Sequence, residues 1–327
     1  MTRTAVLAVA ACMAAWAPAP GQTVPDAGEA RDKTVKAIPG VVAAGARFTQ
    51  VFQTVGNNVD GIVAAADGSL LASQEDNNAV LRIDKDDRAS VYLAGVAVGS
   101  LSIDRQGRLF AVRRMAQAGT PAATHASAPK TSGVSLLLPE LKMWDTLDSG
   151  TKMNGRPSDL TADSTGGAYF TQQSVYYVNA AGTITLIGEN VRGNGILLSE
   201  DEKRLYVTNE GSIVVFDVMG PGRVANQREF VKLAAGGNAD GLAVDTSGNL
   251  YVAAGPGVQV YTREGKYLGV IPTPTSGRPT GQAFAGADRK TLYAVVQTTT
   301  DANGRPLAGR TVYRIPMLAQ GPAQRSK

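Results

Sequence analysis

The chain has 327 residues, 43% of them hydrophobic and 18% charged, with 37 glycines, a balance that suits a globular protein with a sizeable core and many turns. A formal net charge of +4 without any block of like charges excludes nucleic acid as an expected partner. A single cysteine, Cys12, excludes an internal disulfide framework, and a single histidine, His125, leaves no His-rich zinc site and no histidine-based triad unless that one loop residue supplies it.

The N-terminus opens with the short basic run Met1-Thr2-Arg3, and residues 5–17 are apolar or small throughout. Small-x-small cleavage candidates follow, so residues 1–19 read as a secretory signal peptide and the mature chain as exported, periplasmic or secreted. The run Val9-Ala10-Ala11-Cys12 also resembles a bacterial lipoprotein signal, which gives a lipid anchor on Cys12 as the alternative. Residues 20–45 are polar and small and read as a linker; 46–320 form one domain and 321–327 a tail.

Within the domain one unit recurs: a short apolar run, a glycine turn, and a second apolar run. The turns fall at Asp67-Gly68, Gln106-Gly107, Thr165-Gly166, Ser247-Gly248 and Gly286, with a charged turn at Glu200-Asp201-Glu202-Lys203. Intervals are near 40 residues except between Gly107 and Gly166, which stand 59 apart. An Ala/Thr/Ser/Pro-rich insertion at 115–133, holding His125, accounts for the excess and reads as a flexible loop. Further strands are expected at 79–83, 174–178, 212–218, 258–262 and 311–316. About four short strands per unit and six units predict an all-β fold, a six-bladed β-propeller with four-stranded blades around a central channel. A pair of β-sandwiches with coincidental turn spacing is the alternative.

In a propeller, equivalent positions of the innermost strands form a ring around the channel. Eight residues before the turn glycine stand Asp60, Gly99, Ser158 and Asp240; the matching positions of the fourth and sixth units are Asn194 and Gly281. Asp60, Asn194 and Asp240 are each followed by glycine. Asp-Gly and Asn-Gly also serve as turn dipeptides, and the shared register is what sets these apart. Hard oxygen donors converging on an axis suit a divalent cation such as Ca²⁺, Mg²⁺ or Mn²⁺.

These segments resemble the gluconolactonase/regucalcin family of six-bladed propellers. The likeness lies in Asn154-Gly155-Arg156-Pro157-Ser158-Asp159-Leu160, Gly193-Asn194-Gly195-Ile196-Leu197-Leu198-Ser199, Asp240-Gly241-Leu242-Ala243-Val244-Asp245, Tyr267-Leu268-Gly269-Val270-Ile271-Pro272 and Lys290-Thr291-Leu292-Tyr293. The resemblance implies a divalent ion (Ca, alternatively Mg, Mn or Zn) held by a Glu, two Asn and an Asp, and hydrolysis of sugar-type lactones. Carried over, the metal ligands fall on Asp60, Ser158, Asn194 and Asp240, the general base on Asp240, and substrate binding on Arg156 and Ser158. Two positions depart from the family pattern: Asp60 stands for Glu and reaches about 1.5 Å less far, and Ser158 stands for Asn. The expected partner is a small lactone. A non-catalytic exported propeller that binds a ligand or protein at the same mouth, with Tyr176, Tyr177 and Trp144 on the binding surface, is the second reading.

Overall fold

The structure, a computed structural model, describes residues 34–55, 59–126, 128–275, 277–297, 309–323 and 325–326. The signal segment at 1–19 with Cys12, and residues 20–33 of the linker, lie outside them. The described chain folds into six antiparallel-based sheets of four strands each, arranged as the blades of a β-propeller.

Blade one comprises β2 (Ile62–Ala64), β3 (Leu70–Gln74), β4 (Ala79–Ile83) and β5 (Ala89–Ala94). Blade two comprises β6 (Leu101–Ile103), β7 (Leu109–Arg113), β8 (Gly133–Leu138) and β9 (Lys142–Trp144). In blade three the innermost β11 (Leu160–Ala162) pairs with β12 (Ala168–Val178) and β12 with β13 (Thr183–Gly193). Its outer edge is β10 (Thr146–Leu147), parallel to β13. Blade four runs β14 (Ile196–Leu198), β15 (Arg204–Asn209), β16 (Ser212–Gly220) and β17 (Arg223–Lys232). Blade five runs β18 (Ala239–Val244), β19 (Leu250–Ala254), β20 (Gly257–Tyr261) and β21 (Tyr267–Pro272). Blade six takes β22 (Pro279–Ala285), β23 (Thr291–Gln297) and β24 (Gly309–Pro316) from the end of the chain and β1 (Thr49–Val55) from its beginning.

Each predicted glycine turn joins the two inner strands of a blade, and one device builds most of them. The aspartate that ends the inner strand turns its carboxylate onto the turn's own N–H groups. Asp104 accepts from Gln106 and Arg108, Asp163 from Thr165 and Gly167, and Asp245 from Ser247 and Asn249, all within 2.8–3.0 Å. Gly68, Gly107, Gly166, Gly248 and Gly286 then adopt positive φ, open to glycine without strain. In the charged turn of blade four that conformation falls to Glu202.

Alternating side chains on the strands face opposite neighbours, so the core is divided among the blade interfaces. Leu250 and Val252 of β19 pack with Tyr206 and Val215 of blade four. Tyr251, between them, packs with Phe284 and Ile315 of blade six. Trp144 and Tyr177, considered above as binding-surface residues, are buried in the interfaces of blades two and three and of blades three and four. Residues 34–45 are drawn into the same packing: Val35, Ile38, Val41 and Val42 are buried against blades five and six.

Two expectations change in detail. The strand expected at 174–178 is the second half of the long strand β12, which bulges between Gln173 and Tyr176 and so reads as two pieces. The insertion at 115–133 carries a 3₁₀ turn, Pro121–Thr124, with Ala122 and Ala128 buried, and the Nε2 atom of His125 lies 3.0 Å from the Asp76 carbonyl oxygen.

Candidate channel site

The ring begins where the chain steps into each innermost strand. Asp60, Ser158 and Asn194 immediately precede or flank β2, β11 and β14, and Asp240 lies in β18 at a register shift between Ala239 and Leu242. All four line one narrow cavity of about 30 Å³ together with Ser100, Asp159, Thr280, Gly281 and Gln282. Arg156 does not line it; it bonds Glu75, which shares the Arg114 guanidinium with Asp60.

The glycines that follow Asp60, Asn194 and Asp240 are there for close approach. None of Gly61, Gly195 and Gly241 has positive φ, and none of these Asp-Gly and Asn-Gly pairs lies in a turn. A Cβ on Gly241 would come within 2.8 Å of Gly281 Cα and the Thr280 carbonyl oxygen, and one on Gly61 within 2.5 Å of Ser100 Cα. A Cβ on Gly195 would run into the Asp240 carbonyl oxygen. Adjacent inner strands touch backbone to backbone here, which narrows the channel and brings the polar side chains together.

Asp240 is one-seventh exposed, and Arg278 Nη2 donates to its Oδ2 at 2.6 Å. Burial, reinforced by the charge of Asp60, outweighs Arg278 and pushes the Asp240 carboxyl up to about 7. Asp60 accepts from Arg114, which also donates to Glu75 Oε2 at 2.9 Å. Glu75 Oε1 in turn accepts from Arg156 Nη2 at 2.8 Å, and Arg156 Nη1 donates to the Met115 carbonyl oxygen at 3.2 Å. Beneath the ring, Asp159 accepts the N–H of Leu160 at 2.9 Å, that of Ile196 at 3.1 Å and the Ser100 hydroxyl, so its carboxylate ties blades two, three and four.

Glu75, Arg114 and Arg278 were not singled out from the sequence. A signal for two of them exists: Glu75 and Arg114 each stand seven residues after their turn glycine, Gly68 and Gly107, at the exit of the second strand. Comparing that register across repeats brings the two opposite charges of adjacent blades together.

In donor type, two carboxylates, an amide and a hydroxyl suit a hard divalent ion. Their engagements do not. Asp60 is committed to the Arg114 guanidinium and Asp240 to that of Arg278, so an added cation would meet two fixed positive charges. Among the described residues no group of three or more His, Cys, Asp or Glu side chains is gathered so as to hold a metal ion. The residues as arranged do not fit a resident divalent ion.

The family model described as the SMP-30/Gluconolactonase/LRE-like region matches residues 130–298, just over half of the chain. Among curated proteins, the gluconolactonase of Zymomonas mobilis is 26% identical over 174 residues, covering 44% of this chain and 48% of the relative, so the chain spans about half of that protein's length. Among solved structures, a gluconolactonase from Xanthomonas campestris superposes with a TM-score of 0.68 at 21% identity, covering 91% of this chain and 98% of that one. Regucalcin from Agrobacterium tumefaciens, described as a calcium-binding protein, superposes with a TM-score of 0.59 at 15% identity over 82% of this chain and 93% of that one.

Proposed function

The chain belongs to the SMP-30/gluconolactonase/LRE-like family, and from that premise we propose that it hydrolyses the ester bond of sugar-type lactones in the propeller channel. The observation that carries this reading is Asp240: a carboxyl pushed up to about 7 inside a polar cavity shared with Asp60, Ser158 and Asn194. A base with a pKa near the working pH is suited to take a proton from water.

In this reading Asp240 removes a proton from a water molecule as the water oxygen bonds to the lactone carbonyl carbon. Negative charge grows on the carbonyl oxygen, where the Asn194 amide, the Ser158 hydroxyl and the Arg278 guanidinium are the donors at hand. The ring C–O bond then breaks, and the proton held on Asp240 passes to the departing ring oxygen, giving a hydroxy acid. No covalent intermediate is required. Arg156, one-third exposed beside Glu75, binds substrate hydroxyls or the new carboxylate.

Divalent-ion dependence, which the resemblance implies and the calcium-binding description of the regucalcin neighbour suggests for that protein, is a separate question that the same assay answers. Purified protein is tested with aldonolactones before and after chelation, with several divalent ions added back, beside Asp240→Ala. Absence of turnover under every condition sinks the lactonase reading in favour of a binding propeller. Turnover that survives loss of Asp240 sinks the mechanism. Export rests on residues 1–19 alone; cell fractionation that leaves the full chain uncleaved in the cytoplasm would overturn it.

A further inference from the structure

Two of the six ring positions carry glycine, Gly99 and Gly281. The space at Gly99 is filled from elsewhere. A Cβ placed there would come within 2.6 Å of the guanidinium carbon of Arg114 and 2.8 Å of its Nη1. Arg114 follows β7 in the same blade and folds back over Gly99, with a side chain only 8% exposed.

Its donors are met by the kinds of oxygen that hold a hard cation. Nε donates to the Pro157 carbonyl at 2.6 Å and Nη2 to the Ser158 carbonyl at 2.7 Å. Nη1 donates to the Glu75 carboxylate at 2.9 Å and to the Asp60 carboxylate. Burial opposes the charge, but the two carboxylates more than offset it and hold the guanidinium above its ordinary range. Both positions where the sequence departs from the family pattern are among the ring residues that Arg114 touches, Asp60 through its carboxylate and Ser158 through its backbone carbonyl. The missing side chain at 99 leaves the room the guanidinium occupies.

We propose that Arg114, seated over Gly99 between Asp60, Glu75 and the Pro157 and Ser158 carbonyls, is the resident cation of this channel and takes the place of a bound divalent ion. The inference concerns cation binding and does not rest on the lactonase reading. The fixed guanidinium neutralises Asp60 and holds blades one, two and three together at the mouth without any exchangeable ion.

The experiment is a calcium titration of chelator-treated full-length protein by calorimetry, with the melting temperature followed in parallel and magnesium, manganese and zinc as further probes. The wild-type chain is expected to bind none of these ions stoichiometrically at micromolar concentration and to melt at the same temperature with or without chelator. Arg114→Met is expected to bind calcium at least about tenfold more tightly than wild type. Gly99→Ala, which crowds the guanidinium out while leaving both carboxylates, serves the same purpose where Arg114→Met does not fold. One calcium per wild-type chain at micromolar affinity, with a rise in melting temperature, overturns the proposal, as does a folded Arg114 or Gly99 variant that binds calcium no better than wild type. Both readouts are independent of turnover, so failure here is distinct from failure of the lactonase reading.

Discussion

Asp240 combines burial with the Arg278 guanidinium as an ion-pair partner, and burial outweighs the positive charges around it. In the proposed role of base it must be ionised, so kcat/KM on an aldonolactone is expected to climb with pH and level off above about pH 7. Asp240→Asn is expected to lower kcat by about 10²–10⁴-fold, the usual worth of a positioned base. A stability effect follows with its own sign. The folded carboxyl holds its proton up to about 7 whereas the unfolded one releases it near the ordinary carboxylate value of 3.8, so wild-type stability falls as pH rises between those values. Asp240→Asn lacks that decline, and melting temperatures measured from pH 4 to 8 should show the variant gaining on wild type across the window. The glycines beside the ring make a different prediction. Gly241→Ala places a Cβ 2.8 Å from backbone atoms of blade six, and overpacking of that kind costs about 1–3 kcal/mol, readable in a denaturant titration. A turn glycine at that site would show the same loss only if its φ were positive, which it is not.

Strand and turn formation is where sequence and structure agree most closely, because the causes are local. The Asp245 carboxylate collects the N–H groups of Ser247 and Asn249, the Asn249 amide and the Tyr251 hydroxyl at 2.8–3.0 Å while being 2% exposed. Asp245→Ala leaves these donors unsatisfied and is expected to cost about 1–3 kcal/mol, measured by the shift in the unfolding midpoint, whereas Asp245→Asn should recover part of it. The same local logic made the hairpins of blades one, two, five and six legible from glycine spacing alone. It broke down at residues 174–178, where the polar pair Gln172-Gln173 looks like an interruption and the bulge at Gln173, with positive φ, carries the strand through it. The outer strand β10 is two residues long and has no sequence signal of its own; it exists because β13 offers it an edge.

At the scale of the whole molecule, the chain closes its ring twice. β1 from the start of the domain pairs antiparallel with β24 from its end, so blade six is shared by both termini. At the channel end away from Asp60, the C-terminal tail threads inward: Ser326 Oγ accepts the Ala64 N–H at 2.7 Å, and its backbone pairs with Ile103. Arg325, which burial pushes down to about 10, donates to Thr161 at 2.7 Å and to the Ala162 and Ser199 carbonyls at 3.2 and 3.1 Å. Two tail residues thereby reach blades one to four. Truncation after Pro322 is expected to lower the melting temperature, by about 2–4 °C for each kcal/mol lost, and to speed hydrogen exchange at the Ala64 and Ile103 amides; unchanged exchange there would show the tail to be dispensable. Six repeats, their turns, the alternating faces and the ring register were all determined by the sequence itself, since each depends on residues a few positions apart. The pairing of β1 with β24, the tail across the channel floor, and the guanidiniums of Arg114 and Arg278 on Asp60 and Asp240 join residues from different blades or opposite ends of the chain. Only closure of the propeller brings those groups together, and so only the tertiary structure decided which charges face one another in the channel.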